Sequence, residues 1–141
     1  MVSRIPESEL EYDDDIRCFN DVPFTGIGYE LFDNGELKAE SEYKDGLEHN
    51  VCKEWYSNGQ LKQETECRRG MKYGASTSFF EDGKKKVESH YEWGIELDYM
   101  EWSHDGDLLV ERKLDPESPE SNYKILQKFR RVYSDSDNSL V

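Results

Sequence analysis

Short runs in which apolar and polar residues alternate make up most of the chain, each ended by a turn that contains glycine. The runs fall at about 27–33, 36–43, 50–57, 60–67, 74–81, 84–92, 97–104 and 107–114. Period-two alternation of this length predicts strands. An earlier run around 10–19 carries Leu10, Tyr12, Ile16 and Cys18 in the same period, with Asp14 out of step. The turn dipeptides Asn34-Gly35, Asn58-Gly59, Asp82-Gly83 and Asp105-Gly106 recur at intervals of 24, 24 and 23 residues. A second glycine series, Gly46, Gly70 and Gly94, interleaves with them at an interval of 24. Two glycine registers on one period define an internal repeat. Asn-Gly and Asp-Gly predict type I′ hairpin turns, whose two central residues both need positive φ. The interleaved turns close the other ends of the hairpins, so consecutive strands are expected to be antiparallel neighbours.

Register follows from the turns. With Asn58-Gly59 as the loop, Tyr56 falls opposite Leu61, Trp55 opposite Lys62 and Glu54 opposite Gln63. Cys52, Tyr56, Leu61, Thr65 and Cys67 then share a face. Phe32, Leu37, Ala39 and Tyr43 occupy it one repeat earlier, Phe80, Val87 and Tyr91 one repeat later, and Tyr99, Leu108, Val110 and Leu114 in the last repeat. This face is expected to be buried. The other face carries a column of Leu31, Trp55, Phe79 and Trp102, beside Lys38, Lys62 and Lys86 and then Glu40, Glu64, Glu88 and Glu111. Opposite charges on adjacent strands contribute roughly 0.2–1 kcal/mol per pair. One hairpin cannot bury its apolar face alone, so stacking of repeats supplies the stability.

The pattern stops after Leu114, at Asp115-Pro116-Glu117-Ser118-Pro119. Ser118 followed by Pro119 and Glu120 predicts a helix start. Ile125, Leu126, Phe129, Val132 and Tyr133 recur at helical spacing, giving a helix over about 119–133 within the segment 117–134. Lys128, Arg130 and Arg131 fall near its expected C-terminal end, and the helix is expected to cover the open end of the sheet. Residues 1–9 and 135–141 are expected to be disordered, leaving 10–116 as the repeat domain. The fold class is therefore all-β: a single-layer antiparallel β-meander of 23–24-residue hairpin repeats with a C-terminal helix.

Composition changes the picture in two ways. The net charge is −14, near the border at which chains stop folding, but 13% of residues are aromatic. Aromatic side chains bury a large area each, which suits a folded chain with a thin core. The charge repels nucleic-acid phosphates and anionic membranes and attracts a basic partner. Cys18, Cys52 and Cys67 cannot all pair within the chain, and without a CxxC spacing they signal neither a zinc nor a redox site. With neither an apolar leader nor a membrane-length run, the expectation is a reduced, cytoplasmic protein.

The unit Trp55-Tyr56-x-Asn58-Gly59-Gln60-Leu61-Lys62-x-Glu64 resembles the variant MORN repeat. Its neighbour Leu31-Phe32-x-Asn34-Gly35-Glu36-Leu37-Lys38-x-Glu40 matches too, followed by Tyr43-Lys44-Asp45-Gly46. Pro23-Phe24-Thr25-Gly26 resembles the usual entry to such an array, and the resemblance covers about 23–114. The third repeat departs at Lys85 and the fourth at Ser103. Many such proteins resemble the YwqK-type antitoxin family and polymorphic-toxin immunity proteins, which implies neutralisation of a cognate toxin by binding.

The remaining residues point away from catalysis. His49, His90 and His104 have no ligand spacing, and no P-loop, GxSxG or helix-opening GxGxxG occurs. Asp13-Asp14-Asp15 would alternate faces on a strand, so it reads as a solvated acidic edge. The glutamate ladder shares the period of the repeat, which favours a structural role over an acid/base pair. No enzyme, cofactor or metal is expected. The Trp55–Phe79–Trp102 column is either an exposed binding stripe or a surface covered by the helix. The functional expectation is an immunity protein that occludes a basic toxin, a nuclease among the fitting classes. Its expected contact residues are Glu54, Trp55, Glu64, Glu66, Glu88, Glu101 and Trp102. The alternative is a structural scaffold or peptide-binding module. The oligomeric state is left open.

Overall fold

The computed structural model describes residues 2–137. In chain order it contains β1 (Arg4–Pro6), a 3-10 turn (Glu7–Glu9), β2 (Glu11–Asp13), β3 (Ile16–Phe19), β4 (Val22–Pro23), β5 (Gly26–Leu31), β6 (Leu37–Lys44), β7 (Leu47–Trp55), β8 (Leu61–Arg68), β9 (Met71–Phe79), β10 (Lys85–Glu92), β11 (Ile95–Trp102), β12 (Leu108–Lys113) and the helix α1 (Tyr123–Asp137). Strands β5 to β12 form the expected antiparallel meander, each beside its sequence neighbours.

The N-terminus departs from expectation. Residues 4–9 are ordered, and β1 adds a parallel strand along β5. The run 10–19 is two strands, because Asp14 takes φ 54 and turns the chain between β2 and β3. Asp13-Asp14-Asp15 is thus the turn of a small second sheet, β2-β3-β4. This unit builds the main apolar cluster from Leu10, Phe24 and Tyr43, with Ile5 and Phe19 against it. Glu7 ties it down: it accepts the Tyr43 hydroxyl at 2.8 Å and pairs with Arg17 at 2.9 Å.

The two glycine registers make different turns. Positive φ at both loop residues occurs in the interleaved set: Asp45-Gly46 (50, 85), Arg69-Gly70 (52, 78) and Trp93-Gly94 (49, 79). These have the I′ pattern. In the Asn-Gly and Asp-Gly loops the glycine alone is left-handed, and the loop is one residue longer. Tyr56 N–H bonds the Gln60 carbonyl and Gly59 N–H bonds the Tyr56 carbonyl, the pattern of a type I turn ending in a left-handed glycine. The middle loop residues are held by their own side chains: Asn34, Asn58 and Asp82 each accept the backbone N–H two residues on. The fourth loop uses Ser103 Oγ, which accepts Asp107 N–H at 3.1 Å.

Gly46 also meets the N-terminal unit. A Cβ there would lie 2.2 Å from Ile16 Cγ2 and 2.7 Å from the Arg17 carbonyl oxygen, whereas a Cβ at Gly35 would meet nothing within 4 Å. Gly46→Ala should therefore lower stability by about 2 kcal/mol or more, combining left-handed strain with overpacking. Gly35→Ala should lose only the backbone share, about 1 kcal/mol. Denaturant unfolding of the pair checks this; equal losses would mean that the N-terminal unit does not press on Gly46.

The helix begins at Tyr123 instead of 119. Ser118 organises a turn over 118–121, accepting Glu120 N–H at 3.3 Å, and the first helical bond runs from Leu126 N–H to the Asn122 carbonyl. Asn122 is the effective N-cap, in keeping with the preference of Asn for that position. The helix continues through Asp137, so residues 135–137 belong to it, and 138–141 lie outside the described residues. Lys128, Arg130 and Arg131 therefore sit mid-helix. The helix leaves β12 as the sheet edge, exposed at every residue but the half-buried Val110. It packs at the β10–β11 turn: Trp93 is 3% exposed between Tyr73 (4.6 Å) and Tyr133 (4.8 Å), and Arg130 makes two hydrogen bonds to Glu92. Leu126 is fully buried, while Ile125 and Val132 are exposed.

Candidate functional site

One row of residues crosses the meander directly opposite one another: Gly28, Ser41, Cys52, Thr65, Ser76, Ser89, Tyr99 and Arg112. Beside it on the same face runs a second row: Glu30, Ala39, Glu54, Gln63, Ser78, Val87, Glu101 and Val110. The face expected to hold a large apolar core is thus small and polar along its centre. Thr65, Ser76 and Ser89 are buried there and satisfied among themselves. Thr65 Oγ1 lies 2.9 Å from Ser76 Oγ, and Ser89 Oγ donates to the Ser76 carbonyl at 3.3 Å. Small side chains leave space above them, and a cavity of about 400 Å³ opens over Ser41, Cys52 and Thr65, between Tyr43, Cys67 and Glu54.

Carboxylates rim this trough. Glu30 and Glu54 are exposed, and neither is held in an ion pair among the described residues. Glu101 accepts the Tyr99 hydroxyl at 2.7 Å. At the other side Glu96 is neutralised by a two-pronged bond from Arg112, whose guanidinium lies 3.9 Å from the Tyr99 ring centre. Within the trough, a hydrogen bond with Cys52, burial and the nearby Glu48 together push the Cys67 thiol well up.

The family described as MORN repeat variant matches residues 24–45, 48–66 and 72–92. The Immunity protein YwqK of Bacillus subtilis is 53% identical over 114 residues, spanning 81% of this chain and 73% of that protein. The chain belongs to the MORN repeat variant family. No solved structure matches it. The family match ends at 92, yet β11 and β12 form a fourth MORN-like hairpin, with Ser103 doing the work of Asn or Asp.

The MORN geometry separates the predicted contact residues. Glu54 and Glu101 face the trough. Glu64 and Glu88 lie on the opposite face, in the row Tyr29, Glu40, Lys53, Glu64, Thr77, Glu88, Met100 and Glu111. There Glu40, Glu64 and Glu88 approach Arg4 (2.8 Å), Lys53 (3.9 Å) and Lys85 (3.5 Å). The expected partners Lys38, Lys62 and Lys86 are the extra residues of a bulge beside each loop, so Trp55 pairs with Leu61 rather than Lys62. Each of these lysines lies over a ring at the mouth of its own loop, Phe32, Tyr56 or Phe80, at 5.6–5.9 Å.

Trp55 and Trp102 are half-buried and line two different cavities, of about 250 and 360 Å³. The first lies beside Glu54 and the second beside Lys84, Lys85 and His104, and α1 packs elsewhere, against the opposite set of turns.

Glu66 has a structural task. Gly74 takes φ 110, and the N–H of Ala75 points to Glu66 Oε2 at 2.8 Å. One repeat earlier Asn50 takes φ 72 and Val51 N–H bonds Glu42 Oε2 at 3.1 Å. One repeat later the same two positions hold His90 and Asp98, bonded side chain to side chain at 2.8 Å. Glu66→Ala should therefore lower stability by about 1–2 kcal/mol while leaving partner binding unchanged. Urea unfolding and a binding titration on the same sample check both halves.

No helix among the described residues is long and apolar enough to cross a membrane.

Proposed function

We propose that this chain is an immunity protein that binds a cognate toxin domain through the acidic trough and covers the toxin's working surface. Occupancy, not chemistry, does the neutralising. The observation that carries this reading is the small-residue floor and its open cavity, with Glu30 and Glu54 lining the cavity and Glu101 farther along the same face. The name of the Bacillus subtilis relative, together with 53% identity over most of both chains, supports carrying the immunity role across. The toxin on this reading is basic. A nuclease fits best, because the carboxylates would occupy positions that substrate phosphates take in its cleft. The net charge of −14 favours fast encounter with such a partner. The meeting takes place in the cytoplasm, before the toxin can reach its target.

The test is purification of the tagged protein from its native cells, followed by expression of whatever accompanies it. One stoichiometric basic partner, growth-arresting alone and harmless when co-expressed, is the expected result. A scatter of weakly held proteins, none of them toxic, would replace this reading with that of a scaffold.

A further inference from the structure

We propose that Glu48, Cys52 and Cys67 form a binding site for one zinc-like divalent cation, with its fourth position open to the trough. Glu48 and Cys52 stand on β7 on either side of the bulge that Asn50 makes against β6, and Cys67 stands on β8, whose Thr65 is the direct partner of Cys52. Their ligand atoms all lie within 4.8 Å of one another, and Cys67 Sγ is 3.8 Å from Glu48 Oε2. Zinc bonds of about 2.3 Å to sulfur and 2.1 Å to oxygen at tetrahedral angles put two sulfurs about 3.8 Å apart, and sulfur and oxygen about 3.6 Å apart. The three side chains therefore need only small adjustments to close on an ion. Two thiolates and one carboxylate, with a water in the fourth place, suit zinc.

The other repeats show that this triad is not a demand of the fold. One repeat later the equivalent positions are Lys72, Ser76 and Tyr91, and the Lys72 ammonium lies 4.7 Å from the Tyr91 ring centre. One repeat earlier they are Phe24, Gly28 and Tyr43, with the two rings 5.9 Å apart. Where its neighbours close the same spot with an aromatic contact, the second repeat places three metal-ligating groups. The nearby cations are turned elsewhere: Lys72 to Tyr91, and Arg17 to Glu7 and the Tyr12 ring. A bound cation would balance the Glu48 charge and stitch β7 to β8 at the floor of the trough.

The test is a titration of the full reduced chain with Co²⁺, which takes zinc sites and reports its ligands by colour. Binding of one Co²⁺ per chain is expected, with an intense thiolate-to-cobalt band in the near ultraviolet and tetrahedral visible absorption that Zn²⁺ abolishes. Cys52→Ser and Cys67→Ser should each weaken binding at least about tenfold and cut the sulfur band. Glu48→Gln should weaken binding but keep that band, and Cys18→Ser should behave as the parent. Circular dichroism verifies that each variant folds, and Cys52→Ser, at a half-buried position, carries the test if Cys67→Ser does not. Absence of the sulfur band, its survival in Cys52→Ser, or oxidation of Cys52 and Cys67 to a disulfide that added Zn²⁺ does not prevent would overturn the site.

Discussion

Trp93→Ala should lower the stability of the fold by about 3–5 kcal/mol and release the C-terminal helix. The indole is 3% exposed and fills the space between Tyr73 of β9 and Tyr133 of α1. Its removal strips the helix of its aromatic contact with the sheet, leaving the buried Leu126 and the Arg130–Glu92 pair, which is partly exposed and worth little alone. Trp93 also sits at φ 49, a left-handed conformation that only glycine takes without strain. Trp93→Gly removes the same packing but relieves that strain, so it should lose about 1 kcal/mol less than Trp93→Ala. Urea unfolding followed by circular dichroism separates the two. A loss below about 1 kcal/mol in both would mean that the helix is anchored elsewhere.

The second large effect concerns association. Changing Glu30, Glu54 and Glu101 together to Lys should slow binding to a basic toxin by about 10- to 100-fold at low salt and flatten the dependence of the rate on ionic strength. Changing Glu64, Glu88 and Glu111 to Lys alters the net charge equally, from −14 to −8, but on the opposite face. That variant should bind within about threefold of the parent rate, because charges far from the contact are screened beyond a Debye length of roughly 8–10 Å. Stopped-flow association at two salt concentrations measures both. Equal slowing by the two variants would mean that net charge, not the trough, steers the encounter.

Much of the fold was legible because a repeat states its pattern several times over. The doubled glycine register located eight strands and their order, and the pairing of Glu54 with Gln63 followed from it. What escaped was local. Asn-Gly fits both a two-residue I′ turn and a three-residue loop, and the choice of the second adds a bulge that shifts Trp55 by one partner. That bulge sends the lysines to the rings beside their loops instead of to the glutamate ladder. The N-terminal unit escaped because Asp14 interrupts the alternation of 10–19, and that interruption is itself the turn.

The site was half legible. Glu54 and Glu101 reach the trough because strict alternation holds through the middle of each strand. Glu66 carries a task that no spacing in the sequence shows: its carboxylate accepts the Ala75 N–H exposed by the positive φ of Gly74. Strand alternation puts Cys52 and Cys67 on one face. The proximity of Glu48 to them depends on the irregular backbone at Asn50, which no spacing rule in the sequence encodes.

The claim that the trough is the binding face is tested most directly by hydroxyl-radical footprinting of the complex with the toxin partner. Tyr99 and Met100 are adjacent in sequence and point to opposite faces, Tyr99 into the trough and Met100 away from it. Binding in the trough predicts that Tyr99 and Tyr91 lose reactivity in the complex while Met100 keeps it. Protection of Met100 with Tyr99 unchanged would contradict the account and move the interface to the opposite face of the sheet.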